Sequence, residues 1–159
     1  MPERLAICPG SFDPLTNGHE TIIRRGLALF DRVIVAVTFN PRKTPFFSVE
    51  ARKQMVRDVF PDEPRLEVDE LNGLLARWAS DKGAACILRG LRAPSDFEYE
   101  LQMAQMNRHL HPQLDTVFLA SEADGSYVSS SLVREVFVLG GDVSDLVPAP
   151  VLAAMKARS

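Results

Sequence analysis

The chain reads as an α/β protein: a doubly wound, five-stranded parallel sheet with helices on both faces. Two observations predict it. Short apolar, β-branched runs alternate along the chain with stretches at helical spacing. One of these runs, Arg32-Val33-Ile34-Val35-Ala36-Val37-Thr38, is continuously apolar instead of alternating, as suits a strand covered on both sides. Parallel strands need crossovers, and the helical stretches between the runs supply them.

Taken in order, Leu5 to Cys8 predicts the first strand and Glu20 to Phe30 the first helix. Arg32 to Thr38 is the second strand. Val49 to Phe60 has helical spacing through Val49, Met55, Val56 and Val59, with Ser48 placed to cap it and Ala51, Lys53 and Gln54 favouring the helical backbone. Leu66 and Val68 mark a third strand, and a helix follows around Leu74 to Ser80. Ala84 to Leu88 is the fourth strand, Asp96 to Leu110 the clearest helix, and Leu114 to Leu119 the fifth strand. From Ser129 to Leu139 a helical tail begins, punctuated by Gly140-Gly141, Pro148 and Pro150. No repeat or linker divides the 159 residues, so one domain is expected over 1–159, with a helical C-terminal segment from about residue 129.

Composition narrows the partners. The chain is 46% hydrophobic and 25% charged, as in ordinary globular proteins, and its formal net charge of −3 gives no general pull toward nucleic acid or an anionic membrane. Cys8 and Cys86 both lie in apolar strand-like runs, where buried thiols in a reducing compartment are expected in place of a disulfide framework. No secretory leader or membrane span is apparent, which makes a cytoplasmic location the expectation.

The chemistry gathers in the loops after the strands, where open parallel sheets bind ligands. Cys8-Pro9-Gly10-Ser11-Phe12-Asp13-Pro14-Leu15-Thr16-Asn17-Gly18-His19 joins strand to helix with two glycines, two prolines and a histidine at the helix mouth. Glycine admits close backbone approach, and the free N–H groups of a helix start point at an anion. The plainer alternative is a tight turn with a capping histidine. Neither a Walker loop nor Gly-x-Gly-x-x-Gly is present. Lys43 lies in a constrained Pro41-to-Pro45 segment after the second strand, either as a held cation or as a solvated lysine.

After the fourth strand, Arg89-Gly90-Leu91-Arg92 offers two planar forks suited to phosphate; alternatively one arginine pairs with Asp96 or Glu98 as scaffold. Ser129-Ser130-Ser131 suits an N-cap and phosphate nest better than a nucleophile. His19 at a positive helix end favours a neutral imidazole beside a bound anion, whereas His109 and His111 fall at a helix exit before Pro112. Structural-zinc spacing is absent. Together these groups suit a multiply charged anion such as a nucleoside triphosphate.

Thr16-Asn17-Gly18-His19 and, far downstream, Val128-Ser129-Ser130-Ser131-Leu132-Val133-Arg134 resemble the Gly-His and serine-serine signatures of the nucleotidylyltransferase superfamily. Pro9 to Pro14, Asn40 to Lys43, Arg89 to Ala93, Asp96 to Glu100, Met106 to Arg108 and Gly141 to Val143 resemble, in order, the phosphopantetheine adenylyltransferases of bacterial coenzyme A synthesis; the likeness spans residues 5 to 150. The resemblance implies a Rossmann-like nucleotidylyltransferase fold, a homohexamer built as a dimer of trimers, and adenylyl transfer from ATP to 4'-phosphopantetheine, with Mg2+ on the triphosphate.

By motif position it implies Ser11 and Phe12 as the phosphate floor, Ser11 touching both substrates. His19 would steady the α-phosphate. Lys43 and Arg89 would hold the acceptor's phosphate, with the backbone near Leu75 along its arm. Gly90, Leu91, Arg92, Glu100 and the run Gly125, Ser126, Tyr127, Val128, Ser129, Ser130 and Ser131 would contact ATP, and Tyr99 would close the nucleotide side. Lys43 and Arg92 join His19 as the groups expected to act on the reacting phosphates. Ser11 stands where the family commonly has threonine, and Gly125 where it often has an aromatic residue. A related transferase for another phosphorylated acceptor, or a non-catalytic nucleotide-binding regulator, would share part of this pattern.

Overall fold

The computed structural model describes residues 2–121 and 128–158. Its five strands are β1 (Leu5–Gly10), β2 (Arg32–Thr38), β3 (Leu66–Leu71), β4 (Cys86–Leu91) and β5 (Asp115–Ala120). Between and after them come α1 (Asn17–Leu29), α2 (Val49–Val59), α3 (Leu75–Asp81), α4 (Pro94–Leu110), α5 (Ser130–Val138) and α6 (Ala149–Arg158). All pairings are parallel and the sheet order is β3-β2-β1-β4-β5. The chain therefore winds outward one way through β1, β2 and β3, then crosses back to add β4 and β5. The reversal lies between β1 and β4, and a crevice opens there because the loops after the two strands part in opposite directions.

The hydrophobic pattern explains the layers. Val33 to Val37 of β2 and Leu5 to Cys8 of β1 are buried throughout, as central strands covered twice must be. Alternate residues divide between two cores. Ala6, Cys8, Val33, Val35 and Val37 face a cluster built with α1, α2, α5 and α6, while Leu5, Ile7, Ile34 and Ala36 face a smaller one with α3. Cys8 and Cys86 are free, buried thiols, as expected.

Several boundaries differ from the sequence reading. Helix α1 starts at Asn17 and not Glu20, because Thr16 caps it and draws Asn17 and Gly18 into the first turn. Strand β1 runs on to Gly10 and β4 starts at Cys86 and runs to Leu91, so Gly10 of the first motif and Arg89, Gly90 and Leu91 of the other lie in the ends of strands. The C-terminal segment is two helices: Gly140, at φ 88°, ends α5, and α6 returns to bury Val151 and Met155 against α2. Among the described residues no helix is long and apolar enough to cross a membrane.

The face of α1 beside the sheet is set by absence of side chain. A Cβ on Gly26 would run into Leu88 Cδ2, and Leu88 is wholly buried. We expect Gly26→Ala to lower the unfolding free energy by about 1–2 kcal/mol, crowding of roughly 1–3 kcal/mol outweighing a helix-propensity gain of up to ~1 kcal/mol. In a Leu88→Ala background, which itself costs ~2–5 kcal/mol, the same change should cost nothing. Urea denaturation of the four proteins measures this.

Candidate active site

The crevice between β1 and β4 holds a cavity of about 550 Å³. Its walls come from the β1–α1 loop, the segment after β2, the end of β4, the start of α4 and the N-terminus of α5. Ser11, Phe12, His19, Lys43, Arg89, Gly90, Arg92, Glu100 and Val128 to Ser131 all line it. Segments scattered over some 120 residues of chain thus meet at one place, the place the strand reversal dictates.

His19 is fixed by the helix cap. The Thr16 side chain accepts the His19 backbone N–H at 3.4 Å, and the Thr16 backbone N–H donates to His19 Nδ1 at 3.0 Å. This is a reciprocal capping box in which the imidazole takes the place usually held by glutamate or glutamine. The consequence is chemical. Nδ1 accepts a backbone hydrogen bond, so a neutral ring must carry its proton on Nε2. Burial, then Arg92, then Arg89, pull the imidazole from its ordinary 6.5 down to about 4. The ring is therefore a neutral Nε2–H donor at neutral pH, packed edge-on against Phe12 with centroids 4.9 Å apart. The capping role and the anion-site role, alternatives in the sequence, coexist in one side chain.

Phe12 itself sits at φ 48°, in the left-handed region that few side chains occupy. Surrounding bonds hold it there. The Asp13 carboxylate accepts the backbone N–H groups of Phe46 and Phe47, each at 2.8 Å. Buried Arg52 donates to the carbonyls of Ser11 (2.8 Å), Thr38 (2.9 Å) and Phe47 (3.0 Å). Arg134 of α5 donates to the Asp13 carbonyl, and Ser130 Oγ donates to the Pro14 carbonyl at 2.8 Å. Ser129 is the N-cap of α5, accepting from the Leu132 N–H, so the serine run does open a helix. Asp13, Thr16 and Arg134 belong to motifs that the sequence singled out, but their bracing and capping roles were not read from it, and Arg52 did not stand out at all; the Thr-x-x-His spacing could have signalled the cap.

Arg89 in β4 and Arg92 just after it have different partners. Arg92 reaches Asp96 at 3.6 Å, the scaffold pairing considered from the sequence, while Asp96 also accepts the N–H groups of Arg92 and Ala93 that open α4. Arg89 pairs with Glu100, not Asp96 or Glu98: Nη2 to Oε1 is 2.6 Å and Nε to Oε2 is 2.9 Å. Those bonds raise the Arg89 pKa further against the opposing effect of burial. Gly90 is small for a packing reason, since a Cβ there would meet Ile22 of α1 at 2.9 Å.

Five cations (Lys43, Arg52, Arg89, Arg92, Arg134) and three carboxylates (Asp13, Asp96, Glu100) line the cavity, a local charge of +2 in a chain of −3. Among the described residues Lys43 has no carboxylate partner. Cys8 also lines the cavity, but burial pushes its thiol up to about 12, so it is no thiolate nucleophile. Nor do three His, Cys, Asp or Glu side chains gather as a metal cage among the described residues.

A second cavity of about 250 Å³, mostly apolar, shares Pro9, Gly10, Thr38, Arg89 and Glu100 with the first. Leu75 lies here, as does Tyr99, which the resemblance put on the nucleotide side. Buried Asn107 and Thr116, whose Oγ1 is buried without a partner, complete its polar lining. Leu91 lines neither cavity. Gly125, Ser126 and Tyr127 lie outside the described residues.

Residues 7–136 match the Cytidylyltransferase-like family. A relative from Thioalkalivibrio sulfidiphilus named phosphopantetheine adenylyltransferase is 54% identical over 154 residues, 97% of each chain. Relatives of the same name from Anaeromyxobacter dehalogenans and Alkaliphilus metalliredigens are 53% and 51% identical, covering 98% of this chain and 94% and 99% of theirs. A crystal structure from Vibrio parahaemolyticus, assigned to nicotinate-nucleotide adenylyltransferase, superposes with a TM-score of 0.71 over 98% of this chain and 93% of that one, at 15% identity, a likeness of fold.

The state of His19 is directly measurable. Because its folded value lies below 6.5, the unfolded chain takes up the proton first as pH falls. His19 thus weakens the fold between about pH 6.5 and 4 and has no effect above that window. NMR of the ring should show Nε2 protonated at pH 7 and a midpoint near 4. A midpoint near 6.5 would contradict the buried, locked geometry.

Proposed function

The chain belongs to the phosphopantetheine adenylyltransferases of the Cytidylyltransferase-like family, and we propose that it carries out the reaction their name states. The adenylyl group of ATP passes to the phosphate of 4'-phosphopantetheine, giving 3'-dephospho-coenzyme A and pyrophosphate. The observation that supports this best is the pair of cavities sharing one wall at Arg89. The larger is cationic and of a size for a nucleoside triphosphate; the smaller is mostly apolar with a few polar groups, suited to an arm with a few amides.

The acceptor is a phosphate already ionised near neutral pH, so it attacks without a base. An acceptor oxygen forms a bond to the α-phosphorus as the bond from that phosphorus to the α–β bridging oxygen breaks, and the electron pair leaves with pyrophosphate. Positioning and fixed donors are what such a step needs. His19 Nε2–H, held by the cap, donates to a non-bridging α-phosphate oxygen where charge builds. With its pKa lowered and Nδ1 already accepting the Thr16 N–H, the neutral ring donates a hydrogen bond and acts neither as general acid nor as general base. Ser11 and Phe12 form the floor under the phosphates, Lys43 and Arg89 hold the acceptor phosphate, and Arg92 with the α5 N-terminus faces the departing pyrophosphate.

Leu75, Asn107 and Thr116 line the arm. Mg2+ screens phosphate charge in such reactions; since the described residues offer no cage, it would enter on the triphosphate. A homohexamer fits the apolar side chains that α4 leaves exposed, among them Phe97, Met103 and Met106 at 44%, 37% and 53%. A cytoplasmic location fits an enzyme that works on ATP and a thiol-bearing substrate.

The test supplies ATP and Mg2+ with one acceptor at a time, 4'-phosphopantetheine, nicotinamide mononucleotide or glycerol 3-phosphate, and identifies the nucleotide product by mass. Pyrophosphate release with the first alone is expected; release with another overturns the acceptor. His19→Ala should lower kcat by about 10²–10³ with a smaller change in the KM for ATP, as loss of one transition-state donor does. An unchanged kcat removes His19 from the chemistry.

A further inference from the structure

Arg158, in the last turn of α6, lines neither cavity, yet it is bonded to Phe46, at the edge of the segment that carries Lys43. A cation near a helix C-terminus suits the helix dipole whichever way its side chain turns. This one is turned onto Phe46. Its Nε–H donates to the Phe46 carbonyl at 2.7 Å, and its guanidinium carbon stands 3.8 Å from the centre of the Phe46 ring. The Phe46 N–H meanwhile donates to Asp13 at 2.8 Å, and the ring meets Phe137 of α5 edge-on at 6.4 Å. Both backbone groups and the ring of one residue are thus committed, to three separate parts of the chain.

Phe46 stands where one wall of the larger cavity ends. Residues 39–45 form neither helix nor strand, and Phe39, Asn40, Lys43, Thr44 and Pro45 line that cavity. Within the segment the Arg42 and Lys43 N–H groups close a turn on Asn40, but the placing of that turn against the crevice depends on its ends. Buried Arg52 holds the Thr38 carbonyl at one end, at 2.9 Å; Arg158 and Asp13 hold Phe46 at the other. A lysine is a point charge on a long flexible stem, so where its ammonium can reach is set by where its backbone is fixed.

We propose that Arg158 is a positioning residue for the acceptor side: through Phe46 it fixes the segment of Lys43 so that the ammonium stands where the acceptor's phosphate arrives, and α6 thereby takes part in acceptor binding without touching a substrate. This rests on the proposed role of Lys43 as an acceptor-phosphate ligand.

The experiment compares the wild type with Arg158→Ala, Lys43→Ala, their double variant and Val151→Ala, varying the two substrates separately and titrating 4'-phosphopantetheine by calorimetry. Arg158 is exposed, so its removal leaves the core intact, and thermal melting confirms that each variant folds. Val151→Ala loosens α6 through its buried face and serves as the purely structural control. Arg158→Ala should raise the KM and Kd for 4'-phosphopantetheine about fivefold, leave the KM for ATP within about twofold, and add nothing to Lys43→Ala. Val151→Ala should lower the melting temperature and leave both KM values within about twofold. An acceptor KM unchanged by Arg158→Ala while Lys43→Ala raises it overturns the inference and leaves the Lys43 reading standing. So do losses that multiply in the double variant, or an acceptor KM raised as much by Val151→Ala as by Arg158→Ala. An acceptor KM unchanged by Lys43→Ala removes that reading and the inference together.

Discussion

The geometry of the crevice depends on one buried guanidinium. Arg52 is 2% exposed and donates to the carbonyls of Ser11, Thr38 and Phe47, which belong to the loop after β1, the end of β2 and the entry to α2. Burying a charge is costly, and the cost appears as a lowered Arg52 pKa, opposed by the nearby Asp13 carboxylate. What the charge secures is position. Asp13 accepts two backbone N–H groups from Phe46 and Phe47, so the two loops are stitched from both sides. Phe12 can then occupy a left-handed backbone conformation, and Lys43 projects from a segment tied at Thr38 and Phe47. Hydrophobic residues of the same volume would fill the space but leave three carbonyls unpaired and the loops free to drift.

The same economy governs the charges that face the cavity. A polyanion site needs positive potential, yet bare cations at close range repel each other and attract any anion. Here Arg89 and Arg92 carry carboxylate partners, Arg134 reaches toward Asp13 at 4.0 Å, and the surplus falls to +2. Helix N-termini add partial charge without adding ions: α1 opens after its cap Thr16, with His19 in its first turn, and α5 after its cap Ser129. Burial, reinforced by Arg92 and Arg89, keeps His19 neutral, so the ring contributes a directed donor where an imidazolium would contribute a diffuse charge.

Legibility followed locality. The continuous run of β2, the helical spacing of α2 and α4 and the glycine-rich loop after β1 are local patterns, and the structure has them where the sequence put them. The sheet class came from alternation, and the strand-end rule then gathered most of the polar motifs into one crevice. What escaped is non-local. Arg52 sits among helix-favouring residues and reads as an ordinary surface charge; only the folded chain turns it inward. Glu100 is eleven residues from Arg89, and nothing in spacing prefers it to Asp96 or Glu98 until α4 sets its phase. The second cavity is assembled from β1, β2, α3, β4, α4 and β5, and only the resemblance, through Leu75 and Arg89, pointed to it. The early start of α1 was recoverable, because Thr16 and His19 stand three apart as cap and partner, but histidine is not the usual third residue of that pattern.

These points converge on how little chemistry the chain has to perform. The thiol in the crevice is held protonated, the histidine is held neutral with its tautomer fixed, and the carboxylates there are each committed to an arginine or to backbone N–H groups. A site for covalent catalysis would keep one such group poised near neutral pH and within reach of a base. This one moves its titratable groups away from neutrality or ties them down, and spends its hydrogen bonds on fixing donors. That is the arrangement expected when the attacking group arrives already ionised and the barrier lies in bringing two anions into line. The buried Arg52 and the Arg158 tie on Phe46 then serve one requirement: donors must be in place before the substrates are, because a donor that reorganises during transfer stabilises the transition state less than one already fixed.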